Sequence, residues 1–184
     1  MLNIKKNIIF IIGPMCSGKS TIGEILSKKI LFNFYDSDIE ISKLFNNNIN
    51  NIFKEKGELF FRKEEEKFIN NIILMDNIIV STGGGIIESN NNRKIIKNNG
   101  IVIFLDVNIY NQYKRLNNNN INRPLLGDNK NKYFENLSNI YNKRINFYRE
   151  ISDIIIDTNK LNEEFIINKI IKIFKNKKIL KCIL

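Results

Sequence analysis

The amino-acid sequence predicts an α/β domain with a mainly parallel sheet and helices on both faces. Short, nearly unbroken apolar runs recur at residues 8–12, 32–35, 78–81, 101–105 and 154–157. Longer segments of helical spacing separate them, at 21–30, 59–74, 108–116, 131–148 and 163–174. A glycine-bearing stretch, GPMCSGKST, joins the first apolar run to the first helical segment. Strands alternating with helices favour parallel pairing through right-handed crossovers, and strands buried on both faces lose polar alternation. All strand C-terminal ends then share one edge, where ligands bind.

With 184 residues the chain is expected to form one domain, 1–184, large enough for a real core. The apolar run 8–12 is shorter than the ~7–15 residues of a signal-peptide core, and no run reaches the ~18–20 of a membrane span. Cys16 and Cys182 make no disulfide framework, so a reducing, cytoplasmic setting is expected. Cys182 stands third from the end, where a prenylation box needs the fourth position. Histidine is absent, which excludes imidazole bases and His-ligated metals and leaves acid–base work to Asp, Glu, Lys or water. The net charge of +10 follows from a composition crowded with Ile, Asn, Lys and Phe, whose codons can be built from A and T. The lysines are scattered without an aromatic-interleaved stripe, so neither nucleic acid nor membrane is expected as a partner.

The first run leads into residues 13–21, which match G-x-x-x-x-G-K-[ST]. A strand before this motif and a helix after it are what a phosphate loop requires. Gly13, Met15, Cys16, Ser17, Gly18, Lys19, Ser20 and Thr21 would wrap a nucleotide's phosphates. Lys19 would reach the β- and γ-phosphates, and the Ser20 hydroxyl would be a Mg²⁺ ligand. The second run ends in YDSD. Asp36 and Asp38 leave the strand beside the phosphate loop, one suited to water on Mg²⁺ and the other to a substrate hydroxyl. A plain strand-end turn with a helix cap from Ser37 or Asp38 would use the same residues.

In FFRKEEE, Arg62 has the i, i+4 spacing of a surface pair with Glu66, or could point into a cleft and fork a carboxylate. The third run ends in STGGG. Gly83, Gly84 and Gly85 are three of only nine glycines, and bare backbone there would admit a polar substrate. Asparagine patches at 46–51, 90–92 and 117–122 resemble insertions. The segment 117–132 is long for a connection and carries Arg123, as a movable loop over a phosphoryl group would. Arg144 lies on the helix that follows.

In this order and near this spacing, the motifs GPMCSGKST, Tyr35 to Asp38, Phe61–Arg62 with Glu65, Ser81 to Gly85, Arg123 to Leu126, and Arg144 with Tyr148 resemble shikimate kinase over essentially the whole chain. The resemblance implies a three-layer P-loop kinase fold, a five-stranded parallel sheet in the order 2-3-1-4-5 with a lid at about 117–132. It implies MgATP-dependent phosphorylation of the 3-hydroxyl of shikimate, in chorismate and aromatic amino acid biosynthesis. It implies a shikimate-binding region at about 36–65, with Asp38, Arg62, Glu65, Gly83, Gly84, Gly85 and Arg144 at the substrate. Asp36 would serve Mg²⁺ through water, Arg123 would close onto the phosphates, and Arg115 and Asn159 would lie near the adenine. Lys19, Asp38 and Arg123 would carry the catalysis, in a monomer. The chain departs from the family at Cys16–Ser17, where a Gly-Ala pair is common, and at Asn146, where proline is frequent. A gluconate kinase of the same fold would need no pair of arginines for a ring carboxylate. A binding module would not need the full set of Lys19, Ser20, Asp36, Asp38 and Arg123. The basic tail, 175–184, has no assigned role.

Overall fold

The computed structural model describes residues 7–118, 124–127, 129, 132–160 and 162–177. Five strands, β1 (Ile8–Ile12), β2 (Asn33–Asp36), β3 (Ile78–Ser81), β4 (Ile101–Asp106) and β5 (Ile154–Asp157), form one sheet in the order β2-β3-β1-β4-β5. Every pairing is parallel; in register, Phe10 faces Val80 on one side and Val102 on the other. The helices are α1 (Lys19–Ile30), α2 (Ser37–Leu44), α3 (Ile49–Ile72), α4 (Asn90–Asn99), α5 (Ile109–Asn118), α6 (Tyr133–Ile151) and α7 (Glu163–Lys177).

The alternation of side chains along each strand divides the core into two layers. Ile9, Ile11, Ile79 and Ile103 pack under Ile22 and Leu26 of α1 and Ile166, Ile170 and Phe174 of α7. Ile8, Phe10, Val80 and Phe104 pack under Ile69 and Ile72 of α3, Ile96 of α4 and Tyr148 and Ile151 of α6. All five residues of β1 are buried, which is why the run lacks polar alternation. Each fully buried Ile, Leu or Phe contributes ~1.5–3 kcal/mol, so these two layers rigidly hold the strand ends that carry the site.

The structure corrects the pattern reading in several places. β2 begins at Asn33, because Leu31 adopts a left-handed φ of 58° to end α1 and Phe32 is buried in the turn. Helices α2 and α4 were not legible in the apolar spacing. The asparagine patch at 46–51 spans the turn after α2 and the first residues of α3, and that at 90–92 starts α4. The Asn48 side chain caps α3 by accepting from Asn51 N at 2.9 Å. Ser89 caps α4, and Asn92 is buried with its Nδ2 donating to Ile86 O at 3.3 Å. The expected helix 59–74 is the second half of α3, whose two segments meet at Gly57 (φ 80°, ψ 167°). Of the segment 117–132, Pro124–Leu126 form a 3₁₀ turn, with Leu126 buried against Leu116, Tyr133 and Leu137. Arg123 and Cys182 lie outside the described residues. No described helix is long and apolar enough to cross a membrane.

Candidate active site

The loop after β1 reverses at Gly13 (φ 152°), where a Cβ would fall 2.6 Å from Leu105 O and 2.9 Å from Ser17 Oγ. Cys16 takes a left-handed φ of 60° and Gly18 one of 92°, so the backbone curls immediately before α1. The first N–H groups of α1 lack intrahelical acceptors and present partial positive charge to this loop. Lys19 Nζ lies back along it, donating to Pro14 O at 2.8 Å. Met15 and Cys16 pack against the cluster of Leu116, Leu126, Tyr133 and Leu137. Ser17 is buried beneath the loop and Thr21 is exposed on α1.

Ser20 Oγ donates to Asp36 Oδ2 at 2.6 Å. The other oxygen of Asp36 caps α2, accepting from Asp38 N at 3.0 Å and Ile39 N at 3.3 Å. The cap expected from Ser37 or Asp38 therefore comes from Asp36. Ser37 Oγ instead accepts from Gly83 N at 2.7 Å, tying the end of β2 to the end of β3. The Asp38 side chain is left to face the glycines: its Oδ1 lies 2.6 Å from the point a Cβ on Gly83 would occupy. A cleft of about 630 Å³ runs from Asp38 along α2 to Asn48.

Arg62 turns toward the same glycines and does not pair with Glu66. Its Nε and Nη2 donate to Glu58 Oε1 at 3.1 and 2.8 Å, and its Nη1 to Glu65 Oε2 at 2.6 Å. Burial opposes the Arg62 charge, but Glu65 and Glu58 outweigh it and raise the pKa of the guanidinium. Glu65 is fully buried, with Oε1 also aimed at Gly83, 2.7 Å from the Cβ position. Burial pushes its pKa up to about 7 against the pull of Arg62 and with added repulsion from Asp38. The three glycines thus admit the protein's own side chains: Asp38 and Glu65 against Gly83, Arg62 against Gly85. Gly84 has more room, 3.5 Å from Gly13 O, and its carbonyl accepts from the Tyr148 hydroxyl.

Arg144, buried on α6, is held by Glu88, whose Oε1 accepts from Nε at 2.8 Å and Nη2 at 2.6 Å. Arg115 bridges two loops: it donates to Cys16 O at 2.9 Å and to the carbonyls of Thr158 and Asn159. The Asn159 side chain is bonded within the chain, accepting from Asn108 N at 2.9 Å and donating to Asp157 Oδ1 at 2.7 Å. The structure therefore brings Lys19, Ser20, Asp36, Asp38, Arg62, Glu65 and the glycines together at one sheet edge. Arg115 and Asn159 sit on the far side of the phosphate loop. Sequence reasoning missed Glu58 and Glu88, and gave Ser37 only the role of a possible cap. Glu58 stands four residues before Arg62, a helical spacing that could have marked it. Glu88 and Arg144 are 56 residues apart, and nothing in one sequence joins them.

A parallel sheet with β3 inserted between β1 and β2, and a lysine-bearing loop at the start of α1, place the chain among P-loop kinases. A family model for shikimate kinase matches residues 15–175. A shikimate kinase of Haemophilus influenzae (strain PittEE) is 38% identical over 174 residues, 94% of each chain. Another, from Buchnera aphidicola subsp. Baizongia pistaciae, is 39% identical over 172 residues, 94% of this chain and 98% of that one. The structure of shikimate kinase from Acinetobacter baumannii in complex with shikimate matches with a TM-score of 0.88 and 31% identity, covering 95% of this chain and 96% of that one. The chain belongs to the shikimate kinase family. It is an ATP-dependent phosphotransferase with an alcohol acceptor, phosphorylating shikimate to shikimate 3-phosphate in aromatic amino acid biosynthesis.

Proposed function

We propose that the residues gathered at the ends of β1, β2 and β3 carry this transfer. The observation that supports it most directly is the meeting of Asp38, Glu65 and Arg62 over the glycines, with Gly84 itself 3.8 Å, by its Cβ position, from Met15 N of the phosphate loop. Acceptor and donor sites are therefore contiguous.

Loop amides from Met15 to Ser20 and the Lys19 ammonium hold the ATP phosphates. The Ser20 hydroxyl and Asp36 carboxylate, already 2.6 Å apart, are hard oxygen donors suited to Mg²⁺, Asp36 through water. The ion, when bound, would neutralise charge on the phosphates. Arg62 and Arg144 take the shikimate carboxylate, and Asp38 and the glycine amides its hydroxyls. As the 3-hydroxyl oxygen bonds to the γ-phosphorus and the bond to ADP breaks, Asp38 aligns that hydroxyl and accepts its proton. Glu65 positions Arg62. Arg123, from the lid at about 117–132, closes on the transferring group and excludes water. Arg115 and Asn159 border the adenine side, where Arg115 ties the phosphate loop to the loop after β5. The same reading makes the protein a cytoplasmic monomer of one domain, without nucleic-acid or membrane partners.

The test is a coupled ADP-release assay with shikimate, with gluconate and with no acceptor. Release on shikimate alone is expected. Arg62→Lys and Arg144→Lys keep charge but lose the fork, so the KM for shikimate should rise far more than that for ATP. Equal turnover of gluconate, or equal movement of both constants, would overturn the acceptor assignment.

A further inference from the structure

Arg144 is almost completely buried, at 4% exposure, so its orientation is set by its partners and not by solvent. Glu88 supplies that setting. Its Oε1 takes both the Nε and the Nη2 hydrogens of Arg144, while its Oε2 takes the Lys143 ammonium. Both carboxylate oxygens are thereby fixed, on opposite sides. The backbone under Glu88 is fixed as well. It ends the 3₁₀ turn Ile86–Glu88 that directly follows the glycines, with Glu88 N donating to Gly85 O at 3.0 Å. Arg93 Nη1 clamps that turn from the far side, donating to Ile87 O at 2.7 Å and Glu88 O at 3.2 Å. Burial opposes the Glu88 charge, but Lys143 and Arg144 outweigh it and hold the carboxyl below the usual range, so it is ionised at neutral pH.

Two of the guanidinium's nitrogens are thus spoken for by an internal anion, and Nη1 remains to meet an incoming one. We infer that Glu88 is a positioning residue for the acceptor's carboxylate: it fixes Arg144 through Nε and Nη2 and leaves Nη1 for the incoming anion. This rests on the assignment of Arg144 to the shikimate carboxylate. The same arrangement recurs at Arg62, which is held from behind by Glu58 and Glu65. Glu88 engages two nitrogens of Arg144, and Glu58 and Glu65 together engage all three of Arg62, so neither arginine must be ordered when substrate arrives, and binding loses less side-chain entropy.

The test is steady-state kinetics on Glu88→Ala and Glu88→Gln, with shikimate and with its methyl ester as acceptors. Charge-assisted hydrogen bonds of this kind are worth roughly ten- to a hundredfold in binding. Glu88→Ala should raise the KM for shikimate by about that factor, with the ATP constant nearly unchanged. Glu88→Gln keeps an acceptor oxygen for Nε and Nη2 and should recover part of the loss. It also covers the case in which Glu88→Ala fails to fold around an unpaired buried arginine. Esterification should penalise the wild type much more than either variant, because the gain from the carboxylate depends on Glu88. A purely structural Glu88 would lower active-enzyme content and leave that difference intact. Wild-type-like KM values in both folded variants, or an undiminished ester penalty, would overturn this inference alone. A wild type that does not use shikimate would overturn the acceptor assignment and this inference with it.

Discussion

The guanidinium of Arg62 occupies the space that a side chain on Gly85 would need: a Cβ there would fall 2.3 Å from Nη2 and 2.4 Å from Nη1. Arg62 has no slack to give, since Nε, Nη1 and Nη2 are all bonded to Glu58 or Glu65. Its guanidinium is nonetheless the end of a flexible side chain, so the fold can survive its displacement. Gly85→Ala should therefore leave the unfolding midpoint near wild type while raising the KM for shikimate, by up to about a hundredfold for a shift of 1 Å. Thermal unfolding and acceptor kinetics on one preparation check this. A KM unchanged in a folded Gly85→Ala enzyme would remove Arg62 from the substrate.

Gly83 and Gly84 should part company on substitution. A Cβ on Gly83 meets Asp38 Oδ1 at 2.6 Å and Glu65 Oε1 at 2.7 Å, two carboxylates at once. A Cβ on Gly84 meets nothing closer than 3.5 Å, and Gly84 is not among the glycines of positive φ. Gly84→Ala should keep or gain up to ~1 kcal/mol of stability through the unfolded chain. Gly83→Ala should lose both stability and kcat. Denaturant titrations that rank the two variants in the reverse order would refute this account of the triplet.

Asp38→Asn should lower kcat by roughly 10²–10⁴-fold, the usual worth of a positioned general base. The fold should stay intact, because the cap of α2 is the Asp36 carboxylate and not Asp38. Asp36→Ala provides the contrast: it removes the cap, costing about 1 kcal/mol of stability, together with the partner of Ser20. Near-wild-type turnover by Asp38→Asn would leave the acceptor proton to water.

The strands were legible because burial on both faces leaves runs such as Ile8–Ile12 without a polar residue. The phosphate loop was legible because its residue types follow from phosphate chemistry whatever surrounds them. The strand order came through resemblance, since periodicity says nothing of which strands are neighbours. Helix α4 was hidden because NNNRKIIKNN offers only two apolar residues and poor helix formers; Ser89 and packing of Ile96 make the helix. Of the two readings open for Arg62, the surface pair with Glu66 does not form, for a local reason. On α3, Glu66 faces away toward Asn91, while Glu58 and Glu65 flank Arg62. Glycine content predicted a close approach to the backbone at Gly83 and Gly85, but not that the approaching groups would be the protein's own carboxylates and guanidinium.

Glu65 gives the fold a pH dependence of defined sign. The charged groups that face it are Arg62 on its own helix, Asp38 on α2 and Arg144 on α6. Burial dominates, Asp38 adds to it, and the two arginines only partly offset it, so the carboxyl titrates near 7 and not at its ordinary 4.5. Oε2 is engaged by Arg62, whereas Oε1 has no hydrogen-bond partner among the described residues, so a proton is accommodated there. Between 4.5 and about 7 the native state holds this proton and the unfolded chain does not. Stability from this group therefore falls as pH rises through that window and is constant on either side. Glu65→Gln cannot titrate, yet still offers Arg62 an oxygen. The unfolding free energy of Glu65→Gln minus that of wild type should grow from pH 4.5 to about 7 and then level off, as urea titrations across the range will read. A difference that stays flat would mean that Arg62 and Arg144 hold the carboxylate ionised in the native state, as solvent does in the unfolded one. Glu65 would then be a permanent anion behind Arg62, not a titrating group.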